Sequence, residues 1–225
     1  MNARAYLAEL LGTFLFLLIG YLSVAAASAA GDSTLLVVPF SFGLGLLAAI
    51  VAFGHVSGGH FNPAVTMAAL MERRLPPADG LGYMLAQVIG ALGAAAVVYA
   101  TISQEAVTAG ITAPGTGVTE ISALILEIIL TAVFITVILS ATTGGGRLAP
   151  VVIPLALVAI HFAIAPLTGA SVNPARSLGS ALVGGSLDGL WIYILGPAVG
   201  GIAGALIYRF AAGMPPDAAP ADPTV

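Results

Sequence analysis

The chain has 225 residues, of which 59% are hydrophobic and only 7% charged, with a formal net charge of -4 and a mean hydropathy of +1.08. Soluble domains carry about 25% charged residues, so these values exclude a water-soluble globular protein and point to the bilayer as solvent. There is no cysteine, which excludes disulfides and thiolate-bound metals; His, Glu and Asp are not grouped at metal-ligand spacing either, so neither a metal nor a cofactor is expected.

Six stretches are long and apolar enough to cross a hydrocarbon core of ~30 Å, which takes roughly 20 helical residues. They lie near 5–28, 34–55, 80–102, 119–142, 149–167 and 188–211. The first has no cleavage site followed by a soluble domain, and it reads as a retained span rather than a secretory signal. It carries Glu9, and the fourth carries Glu127; ionisable groups inside spans need partners. Between the second and third spans lies Gly58-Gly59-His60-Phe61-Asn62-Pro63-Ala64-Val65, too short to cross and too apolar afterwards for an ordinary loop. Asn is a favoured N-cap, and Pro suits the first helical turn because its missing N–H is not needed there. A half-helix is therefore expected near 63–72. Between the fifth and sixth spans Thr168-Gly169-Ala170-Ser171-Val172-Asn173-Pro174-Ala175-Arg176 repeats the pattern and predicts a second half-helix near 174–183. Gly82, Gly90 and Gly93 on the third span, and Gly196, Gly200 and Gly204 on the sixth, suit close helix packing. Gly144-Gly145-Gly146 is a brief connection, and 214–225 is a Pro- and Ala-rich tail expected to be disordered.

The two Asn-Pro-Ala boxes sit at matching places in two similar halves, about 5–102 and 119–211. Each half opens with a Glu followed four residues later by a Thr, Glu9 with Thr13 and Glu127 with Thr131, and each has three spans. An odd number of spans inverts the second copy. Irregular backbone at membrane depth persists only when buried in protein or lining water. The segments before each Asn are therefore expected to re-enter from opposite faces, with Asn62 and Asn173 meeting near the midplane of a pore. The fold class read from the sequence is an all-α membrane protein of six transmembrane helices and two re-entrant half-helices in an inverted repeat, one channel domain over 1–213.

With a cytoplasmic amino terminus, Arg4, Arg73, Arg74, Arg147 and Arg209 fall on the cytoplasmic side, while the outer loops near 29–33 and 103–118 have no Arg, as the positive-inside rule requires. Arg176 alone breaks the pattern. It follows the second Asn by three residues, and an ionised group at membrane depth is a functional candidate by default.

Along nearly its whole length the sequence resembles the aquaporin (major intrinsic protein) family. Ser57-Gly58-Gly59-His60-Phe61-Asn62-Pro63-Ala64-Val65, Ser171-Val172-Asn173-Pro174-Ala175-Arg176-Ser177 and the Glu near the start of each half carry the match. The resemblance implies a homotetramer with one pore per subunit, and a selectivity constriction at Phe42, His161, Ala170 and Arg176. His161 and Arg176 match water-selective members; Ala170 replaces the Cys or Thr common there, and Ser177 replaces the Asp usual after the Arg in glycerol-conducting ones.

On this reading the carbonyls of Gly58, Gly59, His60, Phe61, Gly169, Ala170 and Ser171 are successive acceptors for water, facing an apolar wall. Asn62 and Asn173 donate to the central water, and the half-helix dipoles repel cations, as in known aquaporin-type exclusion. Glu9 and Glu127 brace the re-entrant loops through backbone N–H groups. His60 and His55 shape the inner mouth. The expected partners are water, small neutral solutes and the lipid bilayer, with no nucleic acid; the short loops suggest a prokaryotic inner membrane. A glycerol or small-solute facilitator is the alternative, supported by Ala170. A secondary transporter shares inverted repeats but needs a second buried acid near a substrate site. An adhesive protein needs longer loops. An enzyme using Ser171 and His161 lacks an orienting acid.

Overall fold

The computed structural model describes residues 2–30, 34–143 and 146–212; the tail and the first two glycines of the Gly144-Gly145-Gly146 connection lie outside the described residues. The helices are α1 (Ala3–Ala30), α2 (Thr34–Ala49), α3 (His55–Ser57), α4 (Pro63–Met71), α5 (Pro77–Thr101), α6 (Gln104–Thr108), α7 (Glu120–Ala141), α8 (Ala149–Thr168), α9 (Pro174–Gly184) and α10 (Leu190–Ala211). A π-helical turn, Ile50–Gly54, joins α2 to α3, and with α2 they form one rod, so six membrane-competent spans result among the described residues. Among the described residues there is no strand.

The packing repeats between halves. Helix α1 lies against α5 and α2, and α7 lies against α10 and α8 in the same way, while α2 meets α8 across the divide. Each half-helix packs on the third span of the opposite half, α4 on α10 and α9 on α5. Without a hydrophobic drive between helices in lipid, such contacts depend on close van der Waals approach. Gly200 provides it: a Cβ there would stand 2.5 Å from the Ile128 carbonyl oxygen and 2.6 Å from Thr131 Cβ. Gly90, its counterpart, faces the Leu10 carbonyl and Thr13 likewise.

The outside of the bundle is apolar, with Leu7, Leu44, Leu85, Ile129, Leu155 and Leu206 among its exposed side chains. Polar groups are turned inward, Glu9, Gln87, Glu127, His161 and Arg176 all being buried. This inversion of the soluble pattern is what a chain bathed in lipid requires.

Two features had no signal in the hydropathy. The π turn has none in its apolar sequence Ile50-Val51-Ala52-Phe53-Gly54. The segment 103–118, read as an outer loop, is instead folded inward. Ser103 caps the short α6 by accepting from Ala106 N at 3.2 Å, and Gly115 N donates to the Leu167 carbonyl at the end of α8, 2.8 Å away.

Candidate functional site

The local chemistry that starts each half-helix is the same. Asn62 Oδ1 accepts from Ala64 N at 2.8 Å, and Asn173 Oδ1 from Ala175 N at 3.0 Å, which satisfies a free donor of the first turn. Pro63 and Pro174 take the first helical position and are buried with Ala64 and Ala175. With their oxygens committed to capping, the side-chain amides point across the molecular divide. Asn62 Nδ2 donates to the Val172 carbonyl at 2.8 Å, and Asn173 Nδ2 donates to the Phe61 carbonyl at 3.0 Å. These reciprocal bonds join the two halves and leave each amide one further hydrogen.

The re-entrant backbones are held by the two buried carboxylates. Glu9 accepts from Ser57 Oγ (2.6 Å), His60 N (2.9 Å), Phe61 N (2.7 Å) and Gln87 Nε2 (2.7 Å). Glu127 accepts from Thr168 Oγ1 (2.8 Å), Ser171 N (2.9 Å) and Val172 N (2.8 Å). Charge-assisted bonds of this kind are about twice as strong as neutral ones. They hold an unfavourable conformation: Phe61, Ala170 and Val172 have φ of +48°, +48° and +44°, a region that costs non-glycine residues roughly 1–3 kcal/mol each.

Phe42, His161 and Arg176 converge. The Phe42 and His161 rings stack with centroids 4.6 Å apart, and the Arg176 guanidinium carbon lies 5.3 Å from the Phe42 centroid. His161 Nδ1 lies 3.0 Å from the Leu157 carbonyl, which can only accept, so Nδ1 carries the proton and the neutral ring offers Nε2 as an acceptor. Arg176 Nη1 donates to Gly110 O (2.6 Å) and Nη2 to Gly169 O (3.3 Å). His161 Nε2 and Arg176 Nε, both buried, have no protein partner. Among the described residues this leaves one acceptor and one donor unmet at the point where Phe42, His161 and Arg176 converge.

These three residues line a cavity of about 570 Å³ that passes Asn62, Asn173 and the backbone of Gly58, Gly59, His60, Phe61 and Ser171, and reaches Arg73, Arg74 and Thr142. Ala170, expected at the constriction, is fully buried, and Gly169, expected to offer its carbonyl to water, accepts from Arg176 instead; both lie off the lining of this cavity. At the far mouth Arg74 Nη1 donates to Thr142 Oγ1 at 2.7 Å and Nη2 to Thr143 Oγ1 at 3.2 Å. Burial pulls the Arg74 guanidinium below its ordinary pKa, with Tyr208 and Glu72 opposing. His60 sits on the lining and shares a 3.1 Å hydrogen bond with Thr66 Oγ1, whereas His55 is exposed and off the lining.

Sequence reasoning overlooked four supports of this site. Gly110 reaches Arg176 from the infolded segment, and Thr112 Oγ1 donates to Ser177 Oγ at 2.8 Å beside it. Tyr21 donates its hydroxyl to the Arg176 carbonyl at 2.5 Å. Gln87 links Glu9 to Thr66; it was legible only as a polar residue on an apolar span.

A family model described as "Major intrinsic protein" matches residues 1–208. The chain belongs to the major intrinsic protein family. It is therefore an integral, multi-pass membrane channel and not an enzyme. Similar family members include the Lactiplantibacillus plantarum "Glycerol uptake facilitator protein-like 6", 41% identical over 217 residues, covering 92% of this chain and 97% of that protein. The "Aquaporin Z" of Rhodopseudomonas palustris is 38% identical over 224 residues, covering 93% of each. The X-ray structure of the aquaglyceroporin from Plasmodium falciparum superposes with a TM-score of 0.84 at 24% identity, over 92% of this chain and 96% of that one, which shows a shared fold. Members of this family resembling the chain thus carry both water-channel and glycerol-facilitator names.

Proposed function

We propose that residues 1–213 form a passive water channel through which water moves single-file down its osmotic gradient while ions and protons are excluded. The observation that carries this reading is the convergence of Phe42, His161 and Arg176 on the cavity, with an aromatic wall, one free acceptor and one free donor. Water stripped of neighbours regains hydrogen bonds there and from the carbonyls of the re-entrant backbones. The second hydrogens of the Asn62 and Asn173 amides orient the water at the midplane. The amino termini of α4 and α9 each bring ~+0.5 of charge to the same point, and Arg176 adds a full one, which disfavours cations.

Stopped-flow light scattering on purified protein in liposomes is the test. Fast shrinkage in sucrose with negligible glycerol entry is expected; glycerol entry as fast as water exit would sink the water-only reading. That outcome defines the second reading, a facilitator of glycerol or other small neutral solutes. It is favoured by the glycerol-facilitator name of a 41% identical protein.

The channel acts as a homotetramer in a prokaryotic plasma membrane with both termini cytoplasmic. Bacterial relatives and the placement of Arg4, Arg73, Arg74, Arg147 and Arg209 support this. Cross-linking in native membranes and protease access to tagged termini check assembly and orientation.

A further inference from the structure

We propose that Gly20, on α1 and outside the cavity lining, sets the width of the constriction by setting how deeply Phe42 can seat. The inference rests on the filter reading above but concerns a residue that touches no permeant molecule. The Phe42 ring occupies the volume that a side chain at position 20 would need: its Cε1, Cζ and Cδ1 lie 2.5, 2.6 and 2.8 Å from where a Cβ would stand. Ordinary van der Waals contact is 3.4–4 Å, so a single methyl displaces the ring by roughly 1 Å.

The surroundings decide which way the ring goes. Phe16 abuts it edge-on at 5.9 Å, His161 stacks on its face at 4.6 Å, and the Arg176 guanidinium carbon stands 5.3 Å away. The remaining space is the cavity that Phe42 lines. Retreat of α1 is opposed by the next residue, Tyr21, whose hydroxyl donates to the Arg176 carbonyl at 2.5 Å and whose ring stands over the Gly110 position. Helix α1 is thereby pinned to α9 at the level of the filter, and close-packed interiors transmit such a displacement rather than absorb it. Gly20 is a positioning residue acting through Phe42.

The test compares Gly20→Ala, Phe42→Leu and the double variant Gly20→Ala/Phe42→Leu with the wild type in liposomes, each checked for helicity and thermal unfolding. The readout is flux relative to wild type for whichever of water and glycerol the wild-type protein carries. A wild type that prefers glycerol therefore refutes the water reading without touching this inference. Gly20→Ala is expected to lower that flux about fivefold or more with its folding unchanged, because pore diameter governs passage. Phe42→Leu is expected to carry that solute at least as fast as wild type, and the double variant to return to wild-type flux, since the shorter side chain leaves room for the methyl. A folded Gly20→Ala with wild-type flux overturns the proposal. So does a double variant no better than Gly20→Ala, whether in flux or, should the single variant fail to fold, in folding, because Gly20 would then serve helix packing alone.

Discussion

At the position three residues after each motif Asn, the two halves differ by one side chain, Val65 in the first and Arg176 in the second. Each follows the same Asn cap and a backbone held by a buried Glu, so Arg176→Val gives the second half-helix the side chain of the first and gives up the contacts to the Gly110 and Gly169 carbonyls. Removing a unit charge about 5 Å from a passing cation, at an effective dielectric near 20, takes away about 3 kcal/mol of repulsion, on the order of a hundredfold in cation partitioning. Vesicles with Arg176→Val are expected to leak cations under a membrane potential while keeping their water permeability. Retained ion tightness would remove Arg176 from the barrier. His161 answers to a different quantity, size. Its ring backs Phe42, so His161→Gly is expected to speed glycerol uptake several-fold, on the scale of pocket-size discrimination, without admitting ions.

The re-entrant segments are elements whose stability depends on one carboxylate each. Glu127→Gln keeps the shape but turns an amide donor towards either the Val172 N–H or the Ser171 N–H, and hydrogen bonds to charged groups contribute about 1.5–3 kcal/mol each. A loss of about 3 kcal/mol is expected, read as a lowered unfolding temperature in detergent, and an unchanged one would mean that the loops hold their shape unaided. Helix crossings are similarly exposed: Gly200→Leu places a side chain against the Ile128 carbonyl, and a failure to assemble α10 on α7 is the expected result in protease-protection assays. At this scale the sequence was informative where chemistry repeats. Asn-Pro at a helix start, a buried Glu per half and small residues on the third spans are each tied to a local physical need, so spans and half-helices could be placed within a few residues. The π turn and the infolded segment carrying Gly110 were not legible, because a π turn depends on the register that α3 needs to bring Ser57 to Glu9. Gly110 supplies a backbone carbonyl, which any residue has. Tyr21 was hidden for a third reason: an aromatic on an apolar span looks like packing until its hydroxyl is seen to reach α9.

The whole molecule is two inverted halves that meet at two side-chain amides. Contacts of α2 with α8, and of each half-helix with the opposite third span, enclose the junction, but the reciprocal bonds from Asn62 to Val172 and from Asn173 to Phe61 lie at the pore itself. Asn62→Asp and Asn173→Asp separate the two duties of these residues. Asp is as good an N-cap as Asn, so α4 and α9 keep their first turns. The carboxylate, however, cannot donate to the opposing carbonyl, and its charge opposes the ~+0.5 of the half-helix terminus. Each single variant is expected to fold with a stability loss of about 1–3 kcal/mol from the unmet carbonyl and carboxylate. The double variant is expected to pass protons, read as collapse of a pH gradient across proteoliposomes, because the positive midplane has become negative. Proton tightness equal to wild type in the double variant would place the barrier at Arg176 alone and leave the paired amides with a purely structural duty.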